Sequence, residues 1–165
     1  LVMGGSLGTR SVNLSAMVAF AERPGRDFDV IHVSGHRDYA DLVKRLGSAT
    51  HSERYTLLEY EPNMGDCLAA CDLVLARSGG SVFELTARGR PAVLVPYPHA
   101  TGDHQTANAE WMADAGAAEV ITDDDLSADL IVMGGYGHSR FRESILGGVT
   151  RSMFEQMTVP VLMSH

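Results

Sequence analysis

Three short turns rich in glycine and serine are the part of this sequence best suited to hold an anion. They are Gly4-Gly5-Ser6-Leu7-Gly8, Ser78-Gly79-Gly80-Ser81 and Gly134-Gly135-Tyr136-Gly137-His138-Ser139, and each follows an apolar run. Glycine lets a phosphate approach the backbone, and a helix that begins after such a turn presents unpaired N–H groups. The hydroxyls of Ser6 and Ser81 either cap the following helix or contact the anion. The turns predict phosphate binding, although glycine and serine also have purely structural uses there.

Polar side chains near these turns have the types that suit a sugar or a ribose. Gln105 and Asn108 stand three residues apart at the start of a predicted helix. Their neutral amides suit sugar hydroxyls, while Asp103 just before them fits the N-cap of the helix. Glu84 lies near the first turn of the helix that follows Gly80, where a carboxylate is favoured by the helix dipole. The same carboxylate could accept hydrogen bonds from ribose hydroxyls.

Other chemistry is disfavoured by position and spacing. Gly4 to Gly8 fits the pattern G-x-S-x-G of a nucleophilic serine, but that elbow lies in mid-sheet, whereas this turn follows the first strand. The dinucleotide pattern G-x-G-x-x-G is absent, and no P-loop lysine follows any turn. The seven histidines show no metal-ligand spacing. We therefore expect no catalytic residues, no metal and no cofactor.

Composition limits the class of protein further. The chain has 165 residues and a formal net charge of −8 without a segregated basic patch, which argues against a nucleic-acid partner. No apolar run approaches the roughly 20 residues of a membrane span. Cys67 and Cys71 fit two buried free thiols in a reducing compartment. We expect a cytoplasmic protein without a membrane span.

The turns need elements to position them, and the sequence predicts alternating strands and helices. The predicted strands are Leu1–Met3, Asp29–Val33, Thr56–Tyr60, Leu73–Ala76, Ala92–Pro96, Glu119–Ile121, Leu130–Met133 and Val159–Met163. Helical stripes that predict core faces are Leu14, Met17, Val18 and Ala21; Tyr39, Leu42, Val43 and Leu46; and Asn108, Trp111, Met112 and Ala115. This pattern is typical of an α/β, three-layer Rossmann- or flavodoxin-like sandwich with a mainly parallel sheet. We expect the strand order 3-2-1-4-5, with the last segment either continuing at the edge of strand 5 or displacing part of that edge.

A larger set of short motifs runs in order from residue 1 to about residue 126. They are Gly4-Gly5-Ser6-Leu7-Gly8 with Asn13, His32-Val33-Ser34-Gly35-His36, Glu59-Tyr60 with Met64, Asp72 with Arg77-Ser78-Gly79-Gly80, Glu84-Leu85, Gly89-Arg90-Pro91, Pro96-Tyr97-Pro98, Asp103 to Ala109, and Ala115 to Ala118. Together they resemble the carboxy-terminal domain of the MurG-type peptidoglycan N-acetylglucosaminyltransferases, which have the GT-B fold. That resemblance implies a half that binds UDP-N-acetylglucosamine.

The same resemblance implies roles for individual residues. Ser6 and the turn Gly79 to Ser81 would lie by the diphosphate, Glu84 by the ribose, and Gln105 by the sugar. The stretch around Glu61 would border the uracil. The amino-terminal acceptor half of that family is missing, so we expect no transferase activity from this chain on its own.

Residues from about 127 to 165 resemble a different family. Their motifs are Ala128-Asp129-Leu130-Ile131-Val132-Met133-Gly134-Gly135, Ile145 to Arg151, and Val159 to His165. They are similar to the carboxy-terminal βαβ unit of universal stress proteins, many of which bind ATP through G-x2-G-x9-G-[ST]. Gly134, Gly137 and Gly147 keep that spacing and would form a phosphate turn, while Gly148 replaces the final Ser or Thr.

Two resemblances in one chain lead to three hypotheses for residues 1–165, taken as a single α/β domain. The first is an engineered or recombined chimera that retains binding of UDP or UDP-N-acetylglucosamine without transferase activity. The second is a stress-protein-like binder of ATP or another adenine nucleotide. The third is a structural chimera without a ligand. In stress proteins the last strand commonly pairs across a dimer, so Val159–Met163 could form a homodimer edge.

Overall fold

The computed structural model describes residues 1–5, 9–22, 28–100 and 103–126. Its strands are β1 (Val2–Met3), β2 (Val30–Val33), β3 (His51–Ser52), β4 (Tyr55–Leu58), β5 (Val74–Ala76), β6 (Ala92–Leu94) and β7 (Ala118–Val120). Its α-helices are α1 (Arg10–Ala16), α2 (His36–Leu46), α3 (Met64–Ala70), α4 (Ser81–Ala87) and α5 (His104–Asp114). A π-helical turn, Met17–Ala21, extends α1, and a 3₁₀ turn, Gly47–Thr50, follows α2.

The described strands form one sheet in the order β3-β4-β2-β1-β5-β6-β7. Neighbouring strands are parallel, except that β3 and β4 form an antiparallel pair at one edge. A mainly parallel Rossmann-like sheet is therefore confirmed. The predicted order of the first five strands is also confirmed, since these strands correspond to β1, β2, β4, β5 and β6.

Some predictions about strands need correction, and others concern residues outside the described part of the chain. The predicted strand Thr56–Tyr60 is β4, which begins one residue earlier and ends at Leu58, because an exposed turn begins there. The edge beside β6 is occupied by β7 and not by the segment after residue 127. The predicted strands Leu130–Met133 and Val159–Met163 lie outside the described residues.

Both faces of the sheet are covered by helices, which confirms three layers. On one face Val2 and Leu75 pack with buried residues of α1 and α2. On the other face Met3 and Ala76 pack with buried residues of α3, α4 and α5. Successive side chains of a strand point to opposite faces, so strands covered on both sides are apolar at every position.

Two of the predicted helical stripes differ from the buried faces. Val18 is 36% exposed while Phe20 is buried, because the π-helical turn widens the helix and shifts the positions that follow α1. Trp111 is 55% exposed, since the face of α5 that packs on the sheet passes through Ala109 and Met112. The stripe of α2 is confirmed, with its apolar side chains packed in the core.

The strand order creates a crevice at the carboxyl edge of the sheet. β1 lies between β2 and β5, so successive crossover connections run to opposite sides of β1. Loops that follow β1 and β5 therefore diverge, and ligands of open parallel sheets bind at such a point. The first two glycine turns of the sequence both lie there, since one follows β1 and the other follows β5.

Candidate functional site

A cleft of about 560 Å³ opens at this switch point between β1 and β5. It is lined by residues that follow the carboxyl ends of β1, β2, β5, β6 and β7, namely Gly4, Gly5, Thr9, Arg10, Ser11, Arg37, Arg77, Gly79, Gly80, Ser81, Tyr97, Gln105 and Asp123. The lining combines glycine backbone, three guanidinium groups and a neutral amide. Such a surface can bind an anion together with hydroxyl groups.

The turn after β1 is held close to the start of α1. Thr9 Oγ1 donates a hydrogen bond of 2.9 Å to the carbonyl of Gly4. A Cβ atom on Gly4 would lie 2.8 Å from both the backbone nitrogen and the hydroxyl of Thr9, so this position requires glycine. Gly5 has a φ of +81°, which also favours glycine. Ser6, the predicted diphosphate residue of this turn, lies outside the described residues.

The turn after β5 is fixed by its own serines. Ser78 is buried, and its hydroxyl donates to the carbonyl of Gln105 at 2.7 Å. The Ser81 hydroxyl donates to the carbonyl of Arg77 at 2.9 Å. Gly79 therefore lies between two serines whose side chains bind protein atoms, and the turn presents mainly its backbone to the cleft.

Arg77 joins three parts of the cleft floor. Its Nη1 donates to the carbonyls of Val95 and Pro96 at 3.1 and 3.0 Å. Its Nη2 donates to Ser11 Oγ at 2.8 Å and lies 2.5 Å from Asp123 Oδ1. The Arg77 side chain is only 9% exposed, and its Nε has no hydrogen-bond partner among the described residues. Arg77 thus ties the ends of β5 and β6 to α1 and to the loop after β7.

Gln105 is oriented by the backbone of the loop after β6. Its Oε1 accepts a hydrogen bond of 3.0 Å from the Tyr97 backbone N–H, so the Nε2 amide group is available as a donor. This Nε2 would lie 3.7 Å from a Cβ placed on Gly79, at the cleft wall. The Tyr97 ring lies 5.4 Å from the guanidinium carbon of Arg77, and both residues line the cleft.

The other predicted site residues of α4 and α5 do not line the cleft. Asn108 donates from Nδ2 to the carbonyl of Ser78 at 2.9 Å and is not among the cleft-lining residues. Glu84 is exposed on α4, also outside the lining set. Asp103 occupies the predicted N-cap position of α5, but its carboxylate makes no capping hydrogen bond to the described helix backbone and instead accepts from the Thr106 hydroxyl at 2.6 Å.

A buried polar network supports the opposite wall of the cleft. Asn13 is fully buried, and its Nδ2 donates to Asp38 Oδ2 at 2.9 Å while its Oδ1 lies 3.0 Å from His32 Nε2. His32 Nδ1 lies 2.5 Å from the Tyr55 hydroxyl. Because the amide oxygen must accept, His32 carries its proton on Nε2 and receives the hydroxyl proton of Tyr55 at Nδ1. Burial lowers the pKa of His32 to about 3, so the imidazole is neutral.

Asp38 connects this network to the surface. Its carboxylate accepts from Arg37 Nε at 3.0 Å and from Arg37 Nη2 at 3.1 Å, and Arg10 Nη1 lies 3.9 Å away. Burial opposes ionisation, but the hydrogen bonds from Arg37 and Asn13 outweigh it and lower the pKa of Asp38. Arg10 also pairs with Asp41 at 3.0 Å. The wall therefore carries two arginines anchored on carboxylates.

Sequence reasoning found the glycine turns and Gln105, but it assigned no role to several lining residues. Those residues are Arg10, Arg37, Arg77, Tyr97 and Asp123. Arg77 stands directly before the second glycine turn, and Arg37 follows the predicted strand Asp29–Val33 by four residues. A search for basic residues just after each predicted strand could have found these two arginines, since parallel strands end at one edge.

The described residues offer neither a cluster of metal ligands nor a helix that could span a membrane. No group of three or more His, Cys, Asp or Glu side chains there could hold a metal ion. None of the helices in this part of the chain is both long and apolar enough to cross a membrane. Cys67 and Cys71 are buried free cysteines, as predicted.

Comparison with known protein families matches residues 1–136 to the glycosyltransferase family 28 C-terminal domain. The chain belongs to this family. The resemblance noted for the first part of the sequence is therefore confirmed at the level of the domain. The match also extends past residue 126, into the segment for which the sequence suggested a second resemblance.

The similar curated proteins share one particular name. A UDP-N-acetylglucosamine–N-acetylmuramyl-(pentapeptide) pyrophosphoryl-undecaprenol N-acetylglucosamine transferase from Leuconostoc mesenteroides is 38% identical over 134 residues. A protein of the same name from Chlorobium limicola is 43% identical over 129 residues. These alignments cover 81% and 78% of this chain but 37% and 34% of the relatives. The chain thus spans little more than a third of the length of the curated relatives it matches.

Solved structures agree with this assignment. MurG from Acinetobacter baumannii superposes with a TM-score of 0.74 at 25% identity, over 93% of this chain and 44% of that chain. The glycosyltransferase VinC, solved in complex with dTDP, gives a TM-score of 0.58 at 20% identity over 93% of this chain and 36% of that chain. The second likeness concerns the fold alone. The α/β fold predicted from sequence is that of the corresponding domain in these enzymes.

Proposed function

We propose that this chain binds UDP or UDP-N-acetylglucosamine in the cleft between β1 and β5. The observation that carries the proposal is the convergence of two glycine turns, three arginines and the Gln105 amide at one switch point of the sheet. A nucleotide sugar needs both phosphate and hydroxyl partners, and this lining offers both. The curated relatives are named for a reaction with UDP-N-acetylglucosamine, which supports this donor over other nucleotide sugars.

The proposed roles of individual residues follow the sequence assignment. Ser6 and the backbone of the turn Gly79 to Ser81 bind the diphosphate, and Gln105 binds the sugar through its Nε2 donor. Glu84 binds the ribose from the exposed side of α4. The contact of Asn108 with Ser78 favours a supporting role for that amide, because it holds the carbonyl next to the glycine turn.

We propose further that the chain binds this donor without transferring the sugar by itself. Transfer needs an acceptor hydroxyl and a base beside the reacting carbon. Among the described lining residues the sole carboxylate is Asp123, and it is paired with Arg77 and accepts from Ser11. No histidine belongs to that lining. The described cleft therefore supplies binding groups but no free base.

We also propose that the carboxy-terminal segment derives from a different parent protein than the rest of the chain. The spacing of Gly134, Gly137 and Gly147 supports a universal-stress-protein-like parent for residues 127–165 and hence a recombined or engineered chimera. Asp72-Leu73-Val74-Leu75 and Asp129-Leu130-Ile131-Val132 are similar in sequence, and two segments with the same predicted strand would make recombination geometrically simple. The glycines of this segment and the proposed dimer strand Val159–Met163 lie outside the described residues. We propose a cytoplasmic location because Cys67 and Cys71 fit free thiols in a reducing compartment.

Calorimetric titration of the purified chain with UDP, UDP-N-acetylglucosamine, ATP and GDP tests this function. We expect saturable binding of the uridine ligands only. Gln105→Ala should weaken UDP-N-acetylglucosamine about tenfold, the loss of roughly one hydrogen bond, and should leave UDP within about twofold. A preference for ATP would instead assign the function to the segment that contains Gly134. Absence of any binding up to millimolar ligand in a folded sample would indicate a scaffold without a ligand.

A further inference from the structure

Arg37 is a cleft residue that belongs to neither glycine turn. It lies in the first turn of α2, directly after the carboxyl end of β2, and it lines the same cleft as Gly79 and Gly80. Its side chain is 58% exposed. A ligand in the cleft can therefore reach this guanidinium from solvent.

The position of Arg37 is fixed from the protein core outward. Asp38 is 4% exposed in its side chain and accepts hydrogen bonds from Arg37 Nε and Nη2. Asn13 holds Asp38, and His32 holds Asn13, in a chain of contacts of 2.9 and 3.0 Å. The Asp38 carboxylate already orients the Arg37 guanidinium, so the binding of a second anion costs little additional conformational entropy.

Arg77, the other arginine next to a glycine turn, is arranged in the opposite way. Its donors serve two backbone carbonyls, Ser11 and Asp123, and its side chain is 9% exposed. A phosphate could reach this guanidinium only by replacing the acceptors that now hold it. The Asp123 carboxylate also neutralises the positive charge of Arg77 at the cleft surface.

We propose that Arg37 binds the diphosphate of a nucleotide in this cleft and that Asp38 is the residue that positions it. This inference rests on the proposed function, because it assigns a second phosphate-binding group to the same site. A guanidinium binds phosphate oxygens in a bidentate manner, so the contact discriminates a nucleoside diphosphate from a nucleoside. Arg10, anchored on Asp41 and near Asp38, adds a further positive charge on that wall.

The test is calorimetric titration of the full chain with uridine, UMP, UDP and inorganic pyrophosphate. Arg37→Gln should weaken UDP about tenfold and leave uridine within about twofold, since only the phosphates contact the guanidinium. Arg54→Gln is the matched control. Arg54 is 48% exposed, pairs with Asp29 at 3.7 Å and lies before β4, at the opposite edge of the sheet. The control removes the same charge and should leave all four affinities within about twofold.

The outcomes separate this inference from the proposed function. Equal losses of UDP affinity in Arg37→Gln and Arg54→Gln, or no loss in Arg37→Gln, would overturn the role of Arg37 while leaving uridine nucleotide binding intact. If the wild-type chain binds pyrophosphate but no uridine nucleotide, the proposed function fails, and loss of pyrophosphate binding in Arg37→Gln alone still supports the inference. If pyrophosphate and UDP both fail to bind to the wild type, both proposals are overturned.

Discussion

The two sides of the sheet that meet at β1 place an arginine at the same cleft in contrasting ways. On the side of β2, Arg37 is 58% exposed and is held by a buried carboxylate. On the side of β5, Arg77 is 9% exposed and is held by backbone carbonyls, Ser11 and Asp123. The comparison teaches that the partners of an arginine, more than its distance from a glycine turn, decide whether its side chain is buried in the fold or exposed at the cleft.

The difference originates in what each side buries. The β2 side buries a polar network in which His32, Asn13 and Asp38 satisfy one another. These three side chains must hydrogen-bond with one another, because a buried polar group without a partner costs about 1–3 kcal/mol. On the β5 side the buried residues around the turn are apolar apart from Arg77 and Ser78. There Arg77 itself donates to the carbonyls of Val95 and Pro96, just after the end of β6.

The largest expected effect is on stability and separates the two arginines. Arg77→Ala should lower the free energy of unfolding by about 3 kcal/mol, because Asp123 and two carbonyls lose their donor. Arg37→Ala should lower it by about 1–2 kcal/mol, since the buried Asp38 carboxylate loses two donors but keeps the hydrogen bond from Asn13. Urea denaturation followed by circular dichroism measures both values.

Arg77→Lys serves as the control for charge. Lysine keeps the positive charge but lacks the planar fork that reaches four acceptors, so we expect an intermediate loss of stability. The comparison breaks down if the two alanine variants lose the same stability, or if Arg37→Ala loses more than Arg77→Ala.

The second effect is a pH dependence that arises on the β2 side. The folded pKa of His32 is about 3, below its unfolded value of 6.5, so the unfolded chain binds more protons between these two pH values. Stability should therefore decrease as the pH falls below about 6.5, by roughly 2–3 kcal/mol at pH 4. The lowered pKa of Asp38 adds a loss in the same direction near the acid end of this range. Unfolding free energies at pH 7, 6, 5 and 4 measure the slope.

Histidine variants assign this slope to one residue. His32→Asn should be less stable at pH 7, because it changes a buried network, but it should depend less on pH. His99→Asn, at an exposed histidine in the loop after β6, should keep the wild-type slope. A wild-type stability that is flat between pH 7 and 4 would contradict a neutral buried His32.

Sequence reasoning predicted the fold more fully than the site. Continuous apolar strands and helical stripes were sufficient for the parallel sheet and its central order. They failed at Trp111, whose exposure depends on which face of α5 meets the sheet, and at Val18, which lies in an unpredicted π-helical turn. The functions of Arg37 and Arg77 could not be separated, because partners such as Val95 are fixed only by tertiary contacts. Glycine turns, in contrast, are local and were found directly.

The smallest expected effect concerns Glu84 on the β5 side. This residue is exposed and outside the cleft lining, so a contact with ribose would be peripheral. Glu84→Gln should weaken UDP by about threefold, the loss expected for one solvent-exposed hydrogen bond. Glu110→Gln, at an exposed glutamate of α5, is the matched control and should bind UDP as the wild type does. Equal affinities of the two variants would remove Glu84 from the site.

The most direct test of the central claim is to locate UDP on the chain by NMR. The backbone amides of Gly5, Gly79, Gly80 and Ser81 and the side-chain Nε of Arg37 are followed during a titration of the full chain with UDP. We predict saturable shifts at these groups, with the Arg37 signal unchanged by uridine. Shifts confined to residues 134–147, or no shifts up to millimolar UDP in a folded sample, would contradict a nucleotide site between β1 and β5.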